Sequence, residues 1–170
     1  MRIFSKDVPH CLTSLRGKAD REFVFTDFTV ADCTELSVWL RDERVKRHIF
    51  IEDTEKYRLQ ADMHYRMFSV FRNGELIAHL SGEICKDDAS VYLIVKPELC
   101  GKGIGTTVLC EAVENIRELF CDIRTITAYI FDDNHASRRC FEKAGFVLSG
   151  KGNDGESKYI YNIKEKKCNE

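Results

Sequence analysis

The chain has no apolar run approaching the ~18 residues that a membrane-spanning helix needs. Its first residues, Met1-Arg2-Ile3-Phe4-Ser5-Lys6-Asp7, carry charge too early to begin a secretory signal. It has no internal repeat and no low-complexity segment, which sets repeat architectures aside. It also lacks a dominant charge: 32% of residues are charged, yet the net charge is only −2, with both signs spread along the chain. No electrostatic footprint for nucleic acid or for a membrane surface follows from that balance. Cysteine is not scarce, but Cys11, Cys33, Cys85, Cys100, Cys110, Cys121, Cys140 and Cys168 are scattered, with no C-x-x-C pair. Zinc sites show paired ligands at short spacing. The expectation is therefore free thiols in a reducing, cytoplasmic compartment and no metal site.

What is present suffices for one core. A chain of 170 residues with 44% hydrophobic content is long enough for one domain and too short for two ordinary ones. The domain is expected over 21–166, preceded by an extension over 1–20 that has no clear periodicity and no assignable role.

Residues 22–28 alternate like a strand, and Asp32 is placed to cap a helix burying Leu36, Trp39 and Leu40. Tyr57, Ala61 and Tyr65 recur every fourth residue and predict a second helix over 53–66, with Thr54 as an alternative cap. Strands are predicted over 67–71 and 75–84, joined by Asn73-Gly74, a hairpin pair that tolerates positive φ. After a turn at Lys86-Asp87-Asp88, the apolar run 90–95 predicts a central strand covered on both faces, ended by Pro97. Ile104, Val108, Ala112, Ile116 and Leu119 or Phe120 follow helical spacing for about four turns. A strand over 124–131, a helix over 134–144 stopped by Gly145, and strands over 146–148 and 157–163 complete the chain. The order β-α-α-β-β-β-α-β-α-β-β predicts an α/β sandwich around a mainly antiparallel sheet.

Chemistry concentrates in Cys100-Gly101-Lys102-Gly103-Ile104-Gly105-Thr106, three alternating glycines between a buried strand and an amphipathic helix. Without Cβ atoms the backbone amides can converge, and the first helical N–H groups add free donors and the positive end of the dipole. A phosphate or pyrophosphate would satisfy them. The plainer alternative is a tight turn that needs glycine only for its conformation. Two nucleotide motifs fail: Lys102 is followed by Gly103 rather than Ser or Thr, and Val108 stands where a dinucleotide fingerprint needs Gly or Ala.

At these residues the sequence resembles the GNAT N-acetyltransferase superfamily, which carries Arg/Gln-x-x-Gly-x-Gly/Ala at this junction. Gly103 and Gly105 match, while Cys100 stands where Arg or Gln is usual. A second stretch, Asn134, Ser137, Phe141, Glu142, Lys143, Gly145 and Phe146, is similar to the family's Asn-x-x-Ala-x-x-x-Tyr-Glu-Lys-x-Gly-Phe segment. The match is close over 91–146 and loose from Glu22 onward. The resemblance implies a GNAT-type α/β/α sandwich with a mixed, mainly antiparallel sheet of about six or seven strands. It further implies an N-acetyltransferase that uses acetyl-CoA as co-substrate, needs no metal, and works as a monomer or homodimer. Its acceptor would be an amine-bearing small molecule or a peptide N-terminus, reached by direct transfer in a ternary complex.

By the same resemblance, the coenzyme is expected to lie against Leu93, Ile94 and Val95, the turn residues Cys100, Gly101, Lys102, Gly103, Ile104, Gly105 and Thr106, and Asn134, Ser137 and Phe141. The backbone amides of Leu93 and Val95 would bind the thioester carbonyl and pantetheine, exposed because their strand splays from its neighbour. Phe141 stands where many relatives have a proton-donating Tyr, so water or Tyr92 must serve. Ala89 takes the place of a frequent Glu base, leaving Glu83, acting directly or through water, as the leading candidate and Asp88 as the second. His48, His64, His79 and His135 have no partner at catalytic spacing. The segment from Trp39 to Val45 is expected to border the acceptor pocket. The replacements at Cys100, Phe141 and Ala89 keep a second class open: a non-catalytic acyl-CoA-binding sensor or scaffold.

Overall fold

The computed structural model describes residues 22–120, 123–153 and 155–163; the expected extension over 1–20 and Cys11, Cys121 and Cys168 lie outside the described residues. The chain runs β1 (Val24–Asp27), α1 (Val30–Trp39), α2 (Glu43–Lys46), α3 (Thr54–Arg58), β2 (Tyr65–Arg72), β3 (Glu75–Cys85) and β4 (Asp88–Val95). A 3-10 turn over Pro97–Leu99 leads to α4 (Ile104–Glu114), α5 (Ile116–Phe120), β5 (Thr125–Phe131), α6 (His135–Lys143), β6 (Val147–Lys151) and β7 (Glu156–Asn162). The strands form one seven-stranded sheet in the order β1-β2-β3-β4-β5-β7-β6. Every neighbouring pair is antiparallel except β4 and β5. The mixed, mainly antiparallel α/β sheet expected from the sequence is the one observed.

Side-chain alternation along the strands sends two sets of apolar residues to opposite faces. Phe68, Leu80, Val91 and Ile126 meet Val108, Leu119 and Phe120 of the α4–α5 layer in the larger core. On the other face Met67 and Ile94 meet Leu36 and Trp39 of α1 and Val45 of α2. The larger core needs close approach at Gly82, where an added Cβ would overlap the Phe120 ring and reach its Cζ at 2.8 Å. Phe120 in turn packs edge-on against Phe68, with ring centroids 5.5 Å apart.

Four expectations need correction. Asp32 does not cap α1: Thr29 does, while the Asp32 carboxylate reaches back to the Thr29 N–H at 2.8 Å, so the two form a capping box. The helix expected over 53–66 is only the one-turn α3, capped by the Asp53 side chain. Asp62 then accepts from the N–H groups of His64 and Tyr65 in an Asx turn, and the chain leaves as β2. Tyr57 and Tyr65 lie on one face because a helix and a strand converge there, their rings 6.2 Å apart, not because one helix carries both. The long helix predicted from residue 104 breaks at Asn115, whose side-chain amide donates to the Glu111 carbonyl at 2.7 Å. Finally, β4 is not covered on both faces: Tyr92 is exposed and Leu93 and Val95 are half-buried. The Asn73-Gly74 turn follows expectation, with φ of 52° and 81°.

A small polar cluster ties α3 to the sheet. The Tyr57 hydroxyl lies 3.0 Å from His79 Nε2 and donates to Ser81 Oγ at 2.9 Å. His79 is buried, and among the described residues its Nδ1 has no partner. Burial lowers its pKa to about 4 from the ordinary 6.5. Between those two values the unfolded chain binds a proton that the folded chain does not, so stability is complete above about pH 6.5 and falls toward pH 4.

Two stability measurements test these contacts. Gly82→Ala is expected to lose about 1–3 kcal/mol in urea denaturation, through overpacking against Phe120. Between pH 6.5 and 4.5 the unmodified chain is expected to lose up to about 3 kcal/mol more than His79→Gln, and equal losses would mean that the imidazole is solvated.

Candidate active site

The site originates where the sheet comes apart. β4 and β5 pair only at Asp88–Thr125, Ala89–Ile126 and Ser90–Thr127, then diverge. Each keeps a continuous antiparallel partner on its far side, β3 for β4 and β7 for β5. The Lys96 N–H donates to the Ile77 carbonyl at 2.9 Å, and the β3–β4 ladder has no bulge. Even-numbered residues of β4 therefore direct their amides to β3, and odd-numbered residues direct theirs away. Leu93 and Val95 thus present their N–H groups to the gap, while the Ile94 amide is committed to β3.

A cavity of about 1050 Å³ runs through this gap. On the face of α4 and α6 it is lined by Leu93, Val95, Cys100, Gly101, Gly103, Gly105, Thr106, Asn134, Ser137 and Phe141. Gly101 and Gly103 have φ of 76° and 84°, and nothing stands within 4 Å of an added Cβ at either position. Gly103 caps α4 without a side-chain hydrogen bond, so the first amides of the helix have no side-chain acceptor at their cap. Gly105 serves packing instead, because an added Cβ would sit 3.0 Å from Cys140 Sγ and 3.3 Å from Val95 Cγ2. Its hydrogen lets α4 approach α6 and β4. This cradle of open amides at a helix N-terminus fits a phosphate-bearing ligand.

The other expected residues are distributed unevenly. Cys100 turns its thiol back toward the carbonyls of Val95 and Lys96, 3.7 Å from each. Lys102 is exposed and Ile104 packs against the larger core; neither lines the cavity. Asn134 Oδ1 accepts the Ser137 N–H at 3.1 Å, capping α6 while lining the cavity. Phe141 is buried, edge-on to Phe146 with centroids 4.9 Å apart. Arg44, Arg139 and Lys143 add positive charge to the lining, although Arg44 is held by Asp42 at 2.7 Å.

On the opposite face the lining is aromatic. Tyr92 and Tyr129 project there from the two diverging strands, with Tyr65 from β2, Phe131 from β5 and Tyr57 from α3. Glu83 lies on this face, opposite Tyr65 and Ser90 in the ladders, but is exposed and does not line the cavity. Asp88 also stays outside it: burial raises its pKa, and its carboxylate accepts from Thr127 Oγ1 at 2.9 Å. Ala89 is fully buried in the larger core, so a carboxylate there would point away from the aromatic face. The Tyr92 phenol is pushed up by burial, then by its neighbours Tyr65, Glu83, Glu156 and Tyr129.

A strap closes this side. Beyond α2, Arg47 Nη2 and His48 Nε2 reach Asp133 at 2.8 and 2.9 Å, and the His48 ring lies 5.7 Å from that of Phe131. The bond to His48, with Arg47 behind it, holds the Asp133 carboxyl below its ordinary range. Sequence reading missed this strap because its partners are 85 and 86 residues apart. It also missed Glu156, which lines the cavity from the start of β7. Tyr129 and Phe131 carried a usable signal, two aromatics at alternate positions in a strand. Among the described residues, no group of three or more His, Cys, Asp or Glu side chains could hold a metal ion, and no helix is long and apolar enough to cross a membrane.

A family model described as the acetyltransferase (GNAT) family matches residues 33–146. A search of curated proteins by sequence finds no match. Among solved structures, aminoglycoside acetyltransferase AAC(6')-Ib in complex with coenzyme A and kanamycin is 20% identical, with a TM-score of 0.72 over 82% of this chain and 94% of that one. A spermidine N-acetyltransferase SpeG chimera from Vibrio cholerae and hSSAT is 17% identical, with a TM-score of 0.68 over 84% of this chain and 96% of that one. The Campylobacter jejuni N-acetyltransferase PseH is 17% identical, with a TM-score of 0.66 over 85% of this chain and 100% of that one. At these identities the likeness is one of fold.

Proposed function

The chain belongs to the acetyltransferase (GNAT) family, and on that footing we propose that it transfers an acetyl group from acetyl-CoA to a primary amine, by direct transfer while both are bound. The amine is carried by a small molecule or a peptide N-terminus. The observation that supports this reading most is the junction of a split sheet with a glycine turn at a helix N-terminus. One element supplies free strand amides and the other free helix amides, along one cavity.

Acetyl-CoA supplies the acetyl group as a thioester. The amides of the turn over residues 101–106 hold its phosphates, with Arg139 and Lys143 of α6 as counter-charges. Asn134, Ser137 and Phe141 flank its arm. The Leu93 and Val95 N–H groups orient the thioester carbonyl and stabilise the charge that develops on its oxygen. The amine enters from the aromatic face, since side-chain alternation puts Tyr92 and Tyr129 opposite the glycine turn. To attack it must be neutral, and its proton leaves through water to Glu83. The Tyr92 hydroxyl, kept protonated by burial, donates to the departing sulfur. The five described cysteines are free thiols, which supports a reducing, cytoplasmic setting.

A second reading, coenzyme binding without turnover, is favoured by Phe141, whose ring is buried and offers no hydroxyl. Incubation with acetyl-CoA and a broad panel of amines, read as free thiol release, separates the two. Release above hydrolysis supports transfer; tight coenzyme binding with no release under any acceptor supports the binding module. Gly103→Asp is expected to abolish coenzyme A binding in calorimetry, because a carboxylate would stand where a phosphate approaches the backbone. Tyr92→Phe is expected to lower kcat about ten-fold with coenzyme affinity unchanged, and an unaltered kcat would assign the proton to solvent.

A further inference from the structure

The aromatic side of the cavity carries a statement about the acceptor that extends the transferase reading and rests on it. Six rings line it: Phe50, Tyr57, Tyr65, Tyr92, Tyr129 and Phe131. Three of them leave much of their surface in the open, with Tyr92 at 41%, Tyr129 at 37% and Phe50 at 75% exposure. Tyr92 and Tyr129 stand on the same face of the diverging strands, beyond the last β4–β5 register pair, where neither completes a core. Such rings bind apolar or flat bodies and attract cations to their faces. Lys158 demonstrates the second property, its ammonium standing 5.9 Å from the Tyr129 centroid.

The charges on this side are few. Among the described residues the cavity lining holds three carboxylates, Glu52, Asp53 and Glu156, against four Lys and Arg residues, a balance that does not favour a polycation. Asp53 is committed to capping α3 and lies 3.5 Å from Lys56. Glu52 is exposed. That leaves Glu156, half-buried, near enough to Tyr92 to raise its phenol pKa, and with no hydrogen-bonding or ionic partner for its carboxylate among the described residues. Above the rings, the strap of Arg47 and His48 to Asp133 and the edge contact of Phe50 with Phe131, at 6.1 Å, bridge the cleft and narrow the way in for an extended chain.

We infer that the acceptor is a small, singly charged primary amine on a short chain that ends in an aromatic or apolar body, with the rings of Tyr92, Tyr129 and Phe131 clasping the body and Glu156 holding the ammonium before it is deprotonated. Several ammonium groups on one acceptor would find one such carboxylate in the lining, with Glu83 outside it at the rim, and the remainder would lie against rings and lysines.

Phenethylamine, hexylamine, spermidine, kanamycin and a peptide beginning with Phe serve as probes, each followed by thiol release with acetyl-CoA and by calorimetric binding to the coenzyme A-loaded protein. The expected kcat/KM for phenethylamine exceeds that for spermidine and kanamycin at least about ten-fold. Tyr129→Ala and Glu156→Gln should each raise the phenethylamine KM and dissociation constant about ten-fold, leaving coenzyme A affinity as it was, while Tyr129→Phe should preserve both. Preference for spermidine, kanamycin or the peptide overturns the inference and leaves the transferase reading standing, as does an unchanged KM in both Tyr129→Ala and Glu156→Gln. Coenzyme binding with neither turnover nor binding of any amine overturns both.

Discussion

The structure depends on a sheet that is allowed to part. β4 and β5 share three register pairs and then separate, which leaves backbone donors and acceptors of both strands without each other. Within a closed core such groups would be costly, since a buried unpaired amide loses its hydration with nothing in return. Here the opening is a cavity that solvent or a ligand can fill, and each strand remains hydrogen-bonded along its other edge. The split therefore costs little stability, yet it creates a row of preorganised N–H groups. Four strands on one side and three on the other behave as two half-sheets, joined by the short parallel ladder and by the packing of α4 on α6.

Other features follow from that separation. Because the strands alternate their side chains, the gap has two chemically different mouths. One is lined by glycines and helix amides, a surface suited to an anion; the other by phenol and phenyl rings, the surface to which the proposal assigns the amine. Gly105 matters because α4 must come close to both Val95 and Cys140 if its N-terminus is to face the opening. The strap from α2 to Asp133 spans the wide end of the same gap. On the proposed function, two substrates of opposite character would meet end to end in this one cavity without either crossing the other's binding surface.

The glycine mouth was legible in the sequence and the aromatic mouth was not, for a physical reason. A backbone site advertises itself through glycines, whose spacing at 101, 103 and 105 is visible without knowing any tertiary contact. Gly103 does take the positive φ that such a turn requires, although Gly105 proves to be a packing glycine. The aromatic mouth is assembled from α3, β2, β4 and β5, so its members share no local pattern. The misreading of 53–66 shows the same limit: Tyr57 and Tyr65 are eight positions apart, a spacing that mimics one helical face, whereas Asp62 turns the chain between them. The run 90–95 looked buried on both sides because its residues are apolar, and apolarity alone does not distinguish a core from a binding surface.

The departures from the family pattern take on different weights once placed in the fold. Cys100 hydrogen-bonds back to its own loop, so the cradle of amides beside it does not depend on that side chain. Ala89 faces the larger core, and the sheet pleat would carry any carboxylate at that position away from the acceptor; its neighbours Asp88 and Ser90 share the face of Tyr92 instead. Phe141 removes a hydroxyl from the cavity, since it lines the opening and has no proton to give. That loss is confined to one hydroxyl, and Tyr92 carries another on the same gap from the opposite face. On the proposed mechanism, proton delivery from the aromatic side would make the acceptor's own pocket part of the catalytic apparatus, so that selection of the amine and protonation of the leaving group would draw on one ring.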